Sequence, residues 1–199
     1  MVTDRAEVSK LKEQFGDAIR FATLKRDDLF IGVAVGDLHK VVTFLKQAMN
    51  FDYYSECVGV DYSTWTHARD WPAGEAKRFE VVHNFMSTKT FSRLFLKVTV
   101  EDGQPVPTVK DIFLGAEYPE REIQDLYGVE FEGNGPIKGE RFLLPNDWVG
   151  YPLRKEVPLG GEDVVFDQHT LGPAVEDISM PHAGESFAGK TGSEGVSGR

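Results

Sequence analysis

Phe79-Glu80-Val81-Val82-His83-Asn84-Phe85 and, a short connection later, Leu94-Phe95-Leu96-Lys97-Val98-Thr99-Val100 are the two runs whose reading decides the fold. In the second, Leu94, Leu96, Val98 and Val100 alternate with Phe95, Lys97 and Thr99. Such alternation puts the apolar side chains on one face of a strand. The pair predicts a long β-hairpin with one buried face. Upstream, residues 53–60 read as another strand, and residues 18–24 and 29–35 as two more, turned by Lys25-Arg26-Asp27-Asp28. Helical spacing takes over on either side of that turn. Val8, Leu11 and Phe15 share one face, with Thr3 or Asp4 as N-cap and Gly16 as the stop. Asp37 caps a helix whose apolar face is Leu38, Val41, Val42, Leu45 and Met49. Downstream, Thr108 and Asp111 resemble a capping box opening a short helix. Pro119 fits the first turn of the next helix, which buries Ile123, Leu126 and Tyr127 and ends at Gly128 as a left-handed cap. The order α-β-β-α-β-β-β-α-α predicts an α+β fold: a two-layer domain whose mixed sheet is covered by helices on one face.

The chain has 199 residues, enough for one domain with a sizeable core, and its net charge is −10. That balance argues against a nucleic-acid partner and against a polybasic membrane anchor. Half of the net charge lies in residues 160–199, which hold seven acids, two bases and eight glycines. Residues 1–159 are therefore read as the folded body and 160–199 as an extended, acidic, Gly-rich C-terminal tail. Nine of the ten prolines lie at 105 or later, so regular structure is expected to dominate before that point. A single cysteine, Cys57, excludes an internal disulfide and any iron–sulfur or zinc site built from this chain's cysteines alone. No apolar run approaches the ~20 residues of a membrane span. Met1-Val2-Thr3-Asp4-Arg5 has neither the apolar core of a secretory signal nor the acid-poor composition of a transit peptide. The expectation is a soluble, cytoplasmic-type protein.

Candidate chemistry is sparse. Residues 184–191, Gly-Glu-Ser-Phe-Ala-Gly-Lys-Thr, match the P-loop letters, but no strand pattern precedes them and the eight residues that follow are too few and too rich in Gly and Ser for a helix. This is read as a chance match in the tail. The five histidines show no ligand spacing, and Cys57 has no basic neighbour in sequence to activate it. The densest polar stretch is Glu120-Arg121-Glu122-Ile123-Gln124-Asp125-Leu126-Tyr127-Gly128. Three readings of it stand together. First-turn acids complement the helix dipole while Arg121 pairs with Asp125 four residues on. The same charges form an ion-pairing surface for a partner. Or Glu120, Glu122 and Asp125 supply acid and base to a free-standing enzyme, with a pocket beside them. A second dense stretch, residues 142–159, sets Trp148, Tyr151, Pro152, Leu153, Arg154 and Lys155 among prolines. It reads either as cover for the domain's own core or as an interface segment stiffened before docking.

These two stretches resemble the C subunit, also called the thirty-kilodalton subunit, of respiratory complex I, the proton-translocating NADH:quinone oxidoreductase. The family pattern E-R-E-x-x-D-[LM]-[FY]-G-[IV]-x-[FY]-x-G is met from Glu120 to Gly133, and W-x-G-x-P-L-R-K-[DE] from Trp148 to Glu156. Weaker agreement runs through Gly59-Val60-Asp61-Tyr62, Arg78-Phe79-Glu80-Val81-Val82-His83 and Val106-Pro107-Thr108-Val109-Lys110-Asp111-Ile112. After Gly133 the chain departs from the pattern: Asn134 stands where the family has a histidine, and the loop is about two residues longer. The resemblance implies a structural subunit of the peripheral arm that supplies no catalytic residue and binds no cofactor or metal. It implies FMN, iron–sulfur clusters, NADH and quinone on other subunits. It implies packing against the arm's subunit that is related to the hydrogenase large subunit, at the cytoplasmic face of a prokaryotic inner membrane. Membrane association is then indirect. A related membrane-bound hydrogenase or deazaflavin-dependent dehydrogenase shares the subunit and is the nearest alternative. The candidate interface residues are Glu120, Arg121, Glu122, Asp125, Tyr127, Trp148, Tyr151, Pro152, Leu153, Arg154 and Lys155, and Arg154→Glu is expected to weaken assembly while leaving the domain's own melting unchanged.

Overall fold

The structure, a computed structural model, describes residues 5–135 and 140–157. The expected tail at 160–199 and its P-loop-like stretch lie outside the described residues, as do Thr3 and Asp4. The elements are α1 (Ala6–Phe15), β1 (Ile19–Lys25), β2 (Asp28–Val33), α2 (Leu38–Met49), β3 (Tyr53–Asp61), β4 (Phe79–Met86), β5 (Arg93–Val100), β6 (Val106–Pro107), α3 (Glu117–Tyr127) and β7 (Phe131–Glu132).

The hairpin is present. β4 and β5 pair antiparallel from Phe79↔Val100 to Met86↔Arg93, in one unbroken register. β3 adds antiparallel to β4, β2 adds parallel to β5, and β1 closes the other edge, giving the order β1-β2-β5-β4-β3. The β1–β2 turn uses Arg26 and Asp27 at φ 52° and 69°, the two left-handed residues that a tight hairpin turn demands. Leu94, Leu96, Val98 and Val100 are all fully buried, together with Val81 and Phe85 of β4 and Leu29 and Ile31 of β2. The buried residues of α1, α2 and α3 join the same cluster, so the helices cover this face. Leu38, Val41, Val42 and Leu45 of α2 are completely enclosed. Each such side chain contributes roughly 1.5–3 kcal/mol relative to exposure. The fold is the expected mixed-sheet α+β domain.

Three local expectations are corrected. α1 starts at Arg5 with no side-chain cap. Asp37 occupies the N-cap of α2, but its carboxylate pairs with Lys40 at 2.8 Å instead of capping the backbone. The short helix expected at Thr108 is absent: residues 110–112 form a turn. The reason is competition for donors. Val106–Pro107 is held extended by parallel pairing with Phe131–Glu132, and the Val109 amide is captured by the Glu120 carboxylate at 2.9 Å.

The core also encloses a polar trio. His83 is fully buried, its Nδ1 3.1 Å from the Tyr54 hydroxyl and its Nε2 4.0 Å from Cys57 Sγ. Burial pushes the imidazole down to about 3, so it stays neutral, and burial pushes the Cys57 thiol well up. Cys57 is a packed thiol and not a nucleophile.

Candidate functional site

α3 lies along β3, and the approach is made possible by Gly59: a Cβ there would stand 3.0 Å from both Ile123 and Tyr127. Pro119 sits within the first turn and Gly128 ends the helix at φ 76°. Gly128 does a second thing. A Cβ at this position would lie 2.5 Å from the Tyr151 ring, so the missing side chain is what lets residues 151–154 close over the helix end.

The motif's carboxylates point to different places. Glu120 is completely enclosed and accepts hydrogen bonds from the Thr108 hydroxyl, the Val109 amide and Asn134 Nδ2, the last at 2.7 Å. Burial raises its carboxyl, an effect that these three donors only partly offset. Asp125, 4% exposed, accepts from the Leu143 and Leu144 amides, both at 2.8 Å, and from Arg141 at 3.3 Å. Burial pushes its carboxyl up, but the two amides and Arg141 outweigh that and hold it below the ordinary range. Glu122 faces solvent. Arg121 pairs with Glu117 at 2.7 Å and not with Asp125, because Arg141 already occupies that carboxylate. Glu120, Glu122 and Asp125 therefore do not converge on one site. The acid–base reading is overturned by this divergence, and Glu120 is out of reach of any substrate. A cleft of about 290 Å³ does open between α3 and Arg141, Phe142 and Tyr151, but only Asp125 of the three lines it.

The second stretch forms a strap over the C-terminal end of α3. The Leu153 amide donates to the Leu126 carbonyl at 3.2 Å, and the Lys155 amide donates to Asp61 at 3.0 Å. Arg154 donates from Nε to the Tyr127 carbonyl and, through a bidentate pair at 2.8 Å, to both oxygens of Asp102. Its guanidinium also lies 4.6 Å from the centre of the Tyr151 ring, with Arg141 5.2 Å away from the same ring. Arg141 binds the Trp148 and Gly150 carbonyls, which curls residues 141–150 around it. Trp148, Tyr151 and Pro152 are half-buried, while the side chains of Leu153 and Lys155 are exposed. The charged anchor of the strap thus faces its own domain. Arg154→Glu is expected to lower the melting temperature of the isolated chain, because it removes the Asp102 pair and sets a third carboxylate beside Asp102 and Glu156. This corrects the expectation of unchanged melting, and circular dichroism of the variant checks it.

Asp61 is the hub. Its buried carboxylate takes Arg78 at 3.1 Å, the Ser63 amide at 2.9 Å and the Lys155 amide, joining β3, β4 and the strap. Arg78 also reaches Asp102 and Glu156. Burial pushes the Asp61 carboxyl up, but Arg78 and the two amides outweigh it and bring it to about 2. A carboxyl lowered on folding stabilises above its unfolded value of 3.8, and that contribution is lost as pH falls through about 2. The contribution is about 2 kcal/mol. Asp61→Asn is expected to remove that part of the chain's acid sensitivity, read as a flatter dependence of urea midpoint on pH.

Sequence reasoning singled out the two stretches but missed their partners. Asp61 stood only in a weakly matching block. Asp102 had the signal of an Asp-Gly turn, with Gly103 at φ 76°. Arg141 and Asn134 lie in the departing loop. Asn134 is fully buried there and bridges the Glu117 carbonyl and Glu120.

The two densest polar motifs bond inward and fix a helix and a strap, an arrangement of the structural class. Comparison with known proteins gives the family. The family described as respiratory-chain NADH dehydrogenase, 30 Kd subunit, matches residues 31–163. The NADH-quinone oxidoreductase C subunit of Roseiflexus sp. (strain RS-1) is 38% identical over 170 residues, covering 83% of this chain and 91% of the relative. The protein of the same name from Chelativorans sp. (strain BNC1) is 35% identical over 180 residues, 89% of this chain and 84% of the relative. Among solved structures, a trypsin-resistant fragment (1–134) of Nqo5 is similar at a TM-score of 0.56 and 27% identity, over 66% of this chain and 99% of that one. A chain of the membrane-bound sulfane sulfur reductase, an archaeal respiratory membrane complex, reaches a TM-score of 0.60 at 23% identity over 76% of this chain and 84% of that one, a likeness of fold alone. The chain belongs to this respiratory-chain NADH dehydrogenase subunit family and is a peripheral-arm subunit of NADH:quinone oxidoreductase, part of a multi-subunit respiratory complex. No helix among the described residues is long and apolar enough to cross a membrane.

Proposed function

We propose that this chain is a scaffold of the peripheral arm that docks, through α3 and the strap, on the subunit related to the hydrogenase large subunit, near the quinone end. FMN, the iron–sulfur clusters and the NADH and quinone sites belong to other subunits, and the assembly sits on the cytoplasmic face of a prokaryotic inner membrane. Residues 1–159 are the docking body in this reading.

One observation carries the reading. Glu120, Asp125 and Arg154 bond inside the domain, while several apolar side chains on and beside α3 and the strap face outward. Val149 is 93% exposed, Leu114 76%, Tyr118 61%, Leu143 56% and Leu153 46%. Tyr118 and Phe142 stack with ring centres 5.6 Å apart. An apolar surface on a rigid, internally paired base is what a permanent partner covers. Tagged chain recovered from membranes solubilised in mild detergent tests it, with mass spectrometry of the co-purifying proteins. Flavin- and cluster-bearing subunits with NADH:quinone activity are expected. A lone chain, or nickel–iron hydrogenase subunits in their place, would overturn it.

A further inference from the structure

The sheet face opposite the helices carries a feature that the α3 surface does not use. Residues 62–78 connect β3 to β4 across that face, and a buried carboxylate fastens them. Glu80, 2% exposed, accepts from Trp71 Nε1 at 2.7 Å, Arg69 at 3.0 Å and Lys97 at 2.9 Å. Arg69 lies 3.8 Å from the centre of the Tyr62 ring and also donates to the Lys77 carbonyl. Trp71 meets Phe21 of β1 edge-on at 5.0 Å. A buried charge is unfavourable unless several donors meet it, so this arrangement fixes the loop in one conformation.

What the loop presents is Trp65, 53% exposed and set edge-on to Tyr62 and His67. Beside it opens a cleft of about 580 Å³ lined by Trp65, His67, Arg69, Trp71, Lys77 and Arg78 among others. Among the described residues no Asp or Glu side chain lines it, in a chain with 32 acids and 22 bases. Arg78 is neutralised by Asp61, Asp102 and Glu156. Lys77 is not: among the described residues its ammonium meets only the neutral Gln104 side chain, at 2.9 Å. Glu80 faces both Arg69 and Lys97, one carboxylate against two cations. The cleft is therefore an aromatic recess with no carboxylate in its lining and one ammonium, Lys77, that meets no carboxylate among the described residues, pre-organised before any ligand arrives.

We propose that this cleft binds an acidic peptide segment of another subunit in the same complex. Trp65 packs on the segment's backbone and apolar atoms, and its carboxylates meet Lys77 and His67. The inference rests on the chain being a subunit of that complex, and adds a second docking site on the opposite face from α3.

The test uses the whole complex, purified through the tagged chain with photoreactive benzoylphenylalanine in place of the exposed Ala68 at the cleft rim. A cross-link to a peptide of another subunit rich in aspartate and glutamate is expected. A recovered complex with no cross-link, a cross-link to lipid only, or one to a peptide lacking acids overturns the proposal. Failure to recover any complex counts instead against the subunit reading itself. In a second arm, Trp65→Ala combined with Lys77→Glu is expected to lower complex recovered after a high-salt wash about tenfold, as loss of an interface tryptophan does. Recovery equal to wild type would contradict the site.

Discussion

Glu120→Ala is expected to destabilise the isolated chain by about 4 kcal/mol, one of the largest losses available from a single side chain. Alanine leaves the half-buried Thr108 hydroxyl and the buried Val109 amide without this acceptor and strips Asn134 Nδ2 of one of its two, the Glu117 carbonyl remaining. Those three groups belong to the β6 segment and to the loop after β7, so the loss unties both from α3. Urea denaturation checks the size. The pH dependence has a definite sign. Burial raises this carboxyl above its ordinary 4.5, so the group favours folding most below that value and less as pH climbs through its folded value. The alanine penalty should therefore be larger near about pH 4 than near about pH 8. A catalytic carboxylate would behave otherwise, losing activity with the fold intact.

Asp125→Ala is the second large effect, about 3 kcal/mol. The Leu143 and Leu144 amides lose their acceptor and the Arg141 guanidinium loses its ion pair, keeping only carbonyl partners. Arg141 is also what holds the Trp148 and Gly150 carbonyls, so residues 141–150 loosen as a unit. Arg141 is a trypsin site, and the variant should be cut there many times faster than wild type under native conditions. Equal cleavage rates would show that Asp125 does not hold this segment.

The hairpin was legible because its two runs alternate cleanly and bury one face. α2 was legible because its apolar positions repeat at helical spacing. The helix expected at Thr108 was misread because sequence spacing cannot show that Glu120, twelve residues on, takes the Val109 amide first. The same blindness explains the site. Arg121 and Asp125 stand at pairing distance on any helix, yet Arg141 arrives from sixteen residues away and displaces Arg121. Arg154 read as a partner-facing charge because Asp102 is remote in sequence. Composition identified the segments that matter, and only tertiary contact shows which way their charges turn. The apolar side chains left outside, Leu143 and Val149 among them, are the part of the site that charge patterning hid.

The most direct test of this division of labour is co-purification of the complex with tagged chain carrying Leu143→Asp and Leu153→Asp. Both side chains are exposed, so the variant should melt like wild type while losing its partner subunits. A variant that melts normally and still brings down the full complex at wild-type yield would contradict the account, because the outward apolar surface would then hold nothing.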